Sequence, residues 1–156
     1  MKIKGKKLES SNEMTIVLPR YNGEDVIFKA TLVDFSEMDK ILKTPKAPYI
    51  LRRGKQVRNT EDKGYEDQCL QYLIKRENYT VAVSLLATPD LEWETVDLEK
   101  PGTWKNCETE LLESGLPKTE VAYIFAKVRQ VNSLDQDKLD EARERFLLMQ
   151  QEAQEN

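Results

Sequence analysis

Residues 14–33 carry a strand pattern, and nearly everything after residue 64 carries a helix pattern; this change of period most constrains the fold. Residues 14–18, Met-Thr-Ile-Val-Leu, are rich in β-formers. Tyr21-Asn22-Gly23-Glu24 is a turn signal, because Asn-Gly accepts positive φ at low cost. Residues 26–33, Val-Ile-Phe-Lys-Ala-Thr-Leu-Val, supply the second strand. A lone hairpin is marginal in water, so it must pack on something or gain strands from a neighbour. The expected fold is α+β: an N-terminal β-hairpin or small sheet, then an all-α C-terminal region ending in a small helical bundle.

Three segments organise the chain. Residues 1–43 are the β-rich part with one short helix, N-capped by Ser36, presenting Met38, Ile41 and Leu42 on one face and stopped by Pro45. Residues 44–64 contain Pro45, Pro48, Gly54 and Gly64 and no helical period, which reads as a basic loop. Residues 65–156 are the helical region. Tyr65, Cys69, Tyr72, Leu73 and Arg76 fall at helical spacing, and the helix is expected to run through residues 80–87, a stretch β-branched enough to form a strand instead. Residues 90–102 form an acidic connector containing Trp93.

A three-helix bundle is expected over 103–149. Thr103 caps its first helix, which bears Trp104, Cys107, Leu111 and Leu112 and is closed by Gly115. Pro117 opens the second, with Val121, Ile124, Phe125, Val128 and Val131. Ser133 and Gln136 form a capping box for the third, whose stripe is Leu139, Ala142, Phe146 and Met149. The expected core residues are Trp104, Leu111, Ile124, Phe125, Val128, Leu139 and Phe146. The heptad-like spacing of the last helix is too short to define a coiled coil by itself. The polar tail, 150–156, is expected to fray.

Composition then limits function. With no histidine in 156 residues, imidazole bases, His-dependent triads and His metal ligands are excluded. Cys69 and Cys107 lie far apart and outside any Cys-x-x-Cys pair, which supports neither a zinc site nor a disulfide framework and suits a reducing compartment. No apolar run reaches the roughly 20 residues of a membrane span, and the lysine-rich start lacks the apolar core of a signal peptide. A soluble intracellular protein is expected, with no cofactor or metal. Charged residues make up 33%, above the roughly 25% of ordinary domains, so the core is thin and the surface heavily charged.

The net charge of −4 conceals a division. Residues 46–58 hold Lys46, Arg52, Arg53, Lys55 and Arg58 with no acid, and four lysines lie within residues 2–7. Residues 89–120 hold nine acids against three bases. Such a division can steer a partner or be ordinary solvated surface. The Arg52-Arg53-Gly54-Lys55 segment lacks the spacing of a phosphate loop. A protein-binding role for Arg52, Arg53, Lys55 and Arg58 fits better than a nucleic-acid one.

Paired acids such as Glu92 and Glu94, or Asp135, Asp137 and Asp140, lack the apolar setting that would make general acids or bases of them. The chain is not expected to be an enzyme. The run Phe146-Leu147-Leu148-Met149 is more informative. Successive helical residues turn by about 100°, so four apolar neighbours cover every side. One bundle face cannot bury them all. Leu147, Leu148 and Met149 then either meet a partner, with Trp93 as a further contact, or pack beneath the hairpin.

Against these features, the C-terminal half resembles the tail assembly chaperones of long-tailed bacteriophages. The basic loop leads into Asn59-Thr-Glu-Asp62 and Tyr65. After the acidic connector come Pro101-Gly-Thr-Trp104, Leu111 and Glu113-Ser-Gly115-Leu116. Glu120 precedes a helix through Val128 to Val131-Asn132, followed by Leu134-Asp135 and Glu141-Ala142-Arg143-Glu144-Arg145-Phe146-Leu147. The likeness spans residues 45–148 loosely and 101–148 well. Lys63 departs from the family's usual Pro, and Pro117 from its usual Ser or Thr cap. The resemblance implies a non-enzymatic protein of the host bacterial cytoplasm that binds the tape measure protein and helps tail-tube subunits assemble around it. It implies too that a longer frameshifted form exists and that the mature virion lacks the protein. A retained structural component of the tail or baseplate, a small nucleic-acid-binding or regulatory protein, and self-association are the alternatives.

Overall fold

The computed structural model describes residues 12–134 and 136–155. The lysines of residues 2–7, Asp135 and Asn156 lie outside the described residues. The fold class is α+β, an N-terminal antiparallel hairpin followed by helices.

Strands β1 (Glu13–Leu18) and β2 (Val26–Thr31) pair antiparallel, with Leu18 opposite Val26, Ile16 opposite Phe28 and Met14 opposite Ala30. The period of two sends these six side chains to one side, where all are buried or half-buried. Glu13, Thr15, Val17 and Ile27 face out. The turn differs from expectation. It runs from Pro19 to Asp25, is closed by the Arg20 N–H donating to Asp25 Oδ1 at 3.0 Å, and Gly23 does not adopt a positive φ.

The inner face of this hairpin lies on the C-terminal half of α2 (Lys63–Ser84), the 3₁₀ turn Leu85–Ala87 and α4 (Lys118–Asn132). Ile16, Leu18 and Ala30 thus share one core with Val81, Ala82 and Leu85, with Cys107 and Leu111 of α3 (Asn106–Glu113), and with Val121, Ile124, Val128 and Val131. Side chains satisfy backbone groups on and beside β2 that have no partner strand. Ser84 Oγ donates to the Thr31 carbonyl at 2.7 Å, and the Lys29 N–H donates to Thr88 Oγ1 at 2.9 Å. Asn132 accepts from the Val33 N–H at 2.8 Å and donates to the Thr31 and Val128 carbonyls. The Arg20 guanidinium donates to both Glu120 oxygens, at 2.6 and 2.8 Å, and these bonds hold the Glu120 carboxyl below its ordinary value.

A second cluster packs Met38 of α1 (Ser36–Ile41) with Val33, Tyr79 and Trp104. The Tyr79 and Trp104 rings stand 4.8 Å apart, and the Trp104 indole donates to the Leu98 carbonyl at 3.2 Å. Trp104, Leu111, Ile124 and Val128 are buried as expected, and Phe125 is half-buried against the core.

The structure departs from the sequence reading at several points. Residues 44–64 are not a loop throughout. β3 (Tyr49–Arg52) and β4 (Lys55–Arg58) form a second hairpin, turned on Arg53 (φ 51°) and Gly54 (φ 75°). Positive φ at both central residues is the two-residue turn that suits strand twist. Ser36 does not cap α1; Asp34 Oδ1 instead accepts from the Ser36 N–H and hydroxyl, which lowers the Asp34 carboxyl pKa. Residues 80–84 are helical rather than extended, but the α-helix gives way to the 3₁₀ turn at Leu85. Asp62 caps α2, accepting from the Tyr65 N–H. Thr103 ends a 3₁₀ turn ahead of α3 and ties down the connector, its hydroxyl accepting from the Asp97 N–H at 2.9 Å. Gly115 follows α3 with φ 99°, as its closing role requires.

The largest correction concerns α5 (Gln136–Glu155). None of its described residues is buried. Leu139 and Phe146, expected in the core, are 46% and 58% exposed. The bundle expected over 103–149 is therefore α3 and α4 packed with α2 and the first hairpin, and α5 stands outside it. Ser133 ends α4, its hydroxyl donating to the Gln130 carbonyl, while the Gln136 amide donates to Asp140. The tail, expected to fray, is helical through Glu155.

Candidate partner-binding surfaces

The Cys107 thiol is buried, and loss of hydration pushes its pKa up to about 12. A thiol that keeps its proton is a poor nucleophile. Thiol labelling of the folded protein is expected to stop at the half-buried Cys69, with Cys107 reacting only on unfolding. A pH dependence follows. Above the ordinary thiol value of 9.0 the unfolded chain releases a proton that the folded chain holds until about 12. The unfolded state therefore binds fewer protons, and stability falls as pH rises through that window. Denaturant midpoints measured at about pH 8 and about pH 10.5 should separate more for wild type than for Cys107→Ala. Equal separations would show that Cys107 ionises alike in both states.

Among the described residues no group of three or more acids and cysteines is placed to hold a metal ion, and no helix is long and apolar enough to cross a membrane. What the fold offers is surface. Leu147, Leu148 and Met149 are 48%, 59% and 68% exposed on α5. These side chains do not pack beneath the hairpin. Asp137, Asp140, Glu141, Glu144 and Glu155 surround Leu148 on the helix side opposite Phe146, so this face is apolar at its centre and acidic around it.

The basic residues project on the second hairpin. Arg52, Arg53, Lys55 and Arg58 are all exposed. Register separates them, because Arg52 pairs with Lys55 while Arg58 lies opposite Tyr49, three positions away. Arg58 is partly engaged: its guanidinium sits 3.9 Å from the Tyr49 ring centre and donates to the Ala47 carbonyl at 2.7 Å. The tip therefore presents Arg52, Arg53 and Lys55 as its exposed charges.

Trp93 is placed differently. It is half-buried against the main core, and its indole donates to the Ala82 carbonyl at 2.9 Å. The acidic connector beside it is held to α3, with Glu110 accepting from the Glu94 and Thr95 N–H groups. Trp93 anchors the connector, and only its edge lines an open groove of about 350 Å³ with Phe28, Leu91 and Glu113. It does not join the α5 residues in one surface.

Sequence reasoning passed over Leu70 and Ile74 and placed Leu73 only on the helical stripe; the three are 56%, 44% and 58% exposed, respectively, on the N-terminal half of α2. Their i, i+3, i+4 spacing was the available signal, a second apolar face beside the half-buried Tyr65, Cys69 and Tyr72. The class defined by this fold and its surfaces is a hairpin-covered helical protein carrying a C-terminal helix with no buried residue. Comparison with family models, with curated proteins and with solved structures finds no match.

Proposed function

We propose that this chain is a tail assembly chaperone of a long-tailed bacteriophage. In this reading it acts in the host cytoplasm, binding the tape measure protein while tail-tube subunits assemble around it, and is left out of the finished particle. The observation that carries the reading is α5, a 20-residue helix without one buried residue that displays Phe146, Leu147, Leu148 and Met149. This run lies in and just beyond the segment whose sequence resembles that family most. An exposed amphipathic helix of this kind lays its apolar face against apolar helices of a partner. The acids around Leu148 select a partner helix whose apolar residues are flanked by Lys or Arg, and they keep the complex soluble.

The test is Leu147→Asp combined with Leu148→Asp. Both side chains are exposed, so the melting curve should stay close to wild type. Binding to a tape-measure segment should fall at least about tenfold, or about 1.4 kcal/mol. Unchanged binding would remove this face from the mechanism. Mass spectrometry of infected-cell lysate beside purified particles separates the chaperone from a retained tail component. A fixed copy number in particles would establish the latter and overturn the proposal.

A further inference from the structure

The Phe146 side of α5 differs from the Leu147–Leu148 side, on which the functional reading places its test of partner binding. Leu139, Ala142, Phe146, Met149 and Ala153 recur at intervals of 3, 4, 3 and 4 residues, the spacing of a two-helix seam. All five are exposed. Among the described residues none covers the seam, and its flanking charges state what would.

We propose that the seam closes on α5 of a second copy of this chain, antiparallel, with Phe146 of one copy across from Met149 of the other. Flanking residues set the orientation of such pairs. A parallel arrangement brings Lys138 of each copy against Arg143 of the other, two like-charge contacts. The antiparallel arrangement brings Arg145 of each copy against Glu152 of the other, two opposite-charge contacts, and sets Arg143 beside Gln150. Register follows from the same residues. Sliding the antiparallel pair by one heptad, so that Phe146 meets Ala142, places Arg145 against Arg145 and Arg143 against Arg143. Only the first register pairs unlike charges at the centre. The layers are then Phe146 on Met149 in the middle and Ala142 on Ala153 outside them. The small outer layers let the backbones approach closely.

The outward side limits the assembly to two. Asp137, Asp140, Glu141, Glu144 and Glu155 all lie within about 60° of the direction opposite Phe146, so further α5 helices would meet a like-charged face. The dimer leaves Leu147 and Leu148 outside the seam, available to a different partner. Because the paired layers run only from Ala142 to Ala153, less than two heptads, the association is weak and concentration-dependent.

Sedimentation of the full chain through the micromolar range tests this. Wild type should pass from monomer to dimer. Phe146→Asp with Met149→Asp should remain monomeric with the same melting curve, since neither side chain is buried. Arg145→Glu should weaken the dimer at least about tenfold, and adding Glu152→Arg should restore it. Leu147→Asp with Leu148→Asp should still dimerise, which keeps this result separate from the binding test above. A wild type that stays monomeric throughout the series, or a dimer that survives the seam substitutions, overturns the proposal. Failure of Glu152→Arg to rescue Arg145→Glu overturns the antiparallel pairing.

Discussion

Trp104→Ala is expected to cost about 3–5 kcal/mol, the range for a large ring removed from a core that cannot fully collapse. Trp104 is wholly buried between Tyr79, Met38 and Val33. Truncation empties that space, and the hydrogen bond to the Leu98 carbonyl disappears with the indole. Domains of this kind hold about 5–15 kcal/mol in total, so the variant should melt far below wild type or be largely unfolded. Phe146→Ala is the control. Spacing places both rings in one bundle, yet Phe146 is 58% exposed, and its loss should change monomer stability by no more than about 0.5 kcal/mol. Thermal or denaturant melts of dilute samples decide the matter. Equal losses for the two variants would mean that α5 packs on the body after all.

The contrast shows where sequence reasoning reaches and where it stops. The first hairpin was legible because residues 14–18 and 26–33 are rich in β-formers on either side of turn residues 21–24, and such a pair must be covered on one face. α4 was legible because Val121, Ile124, Val128 and Val131 keep one face of a helix. α5 shows the limit. Leu139, Ala142, Phe146 and Met149 form just as good a stripe, but a period states only that a face wants cover. It does not say whether the cover comes from the same chain. The one local sign was that Leu147 and Leu148 continue the apolar surface beyond any single face.

Other misses have local causes. The second hairpin was hidden because its strands are four residues long and β4, Lys-Gln-Val-Arg, is mostly charged or polar. Its turn also asks for positive φ at Arg53, a residue type without the local side-chain bonding that favours this conformation in Asn or Asp. Ser36 and Thr103 were read as caps because hydroxyls near helix starts usually are. Asp34 reaches Ser36 first, and Thr103 stands a short turn ahead of α3, where the Asp97 N–H claims it. Trp93 resembled a partner contact because its neighbours are acidic. The carbonyl it needs, that of Ala82, is supplied by α2 from across the fold.

Dividing the chain at the second hairpin is expected to have the largest effect of all, and only when the halves are apart. Residues 59–156 hold every helix of the main core, which on helix count alone would form a self-sufficient piece. The structure argues otherwise. Ile16, Leu18 and Ala30 are buried in the same cluster as Val81, Leu85, Ile124 and Val128, so removing the first hairpin exposes the inner side of α2 and α4 together. It also leaves Asn132, Ser84 and Thr88 without the β2 groups they bond, and Glu120 without Arg20. Of these groups only Ser84 is buried, and water replaces the lost partners once the hairpin is gone, so the lost apolar burial carries the cost. That loss is set against the roughly 5–15 kcal/mol that a small domain holds in reserve. The piece 59–156 made alone should therefore show helical signal without a cooperative melt. Mixing it with residues 1–58 should restore the melt, because the only covalent link cut lies after Arg58, at the exposed end of β4. A cooperative melt of 59–156 alone would mean that the helices close their own core. The hairpin would then be an added cover rather than part of the fold.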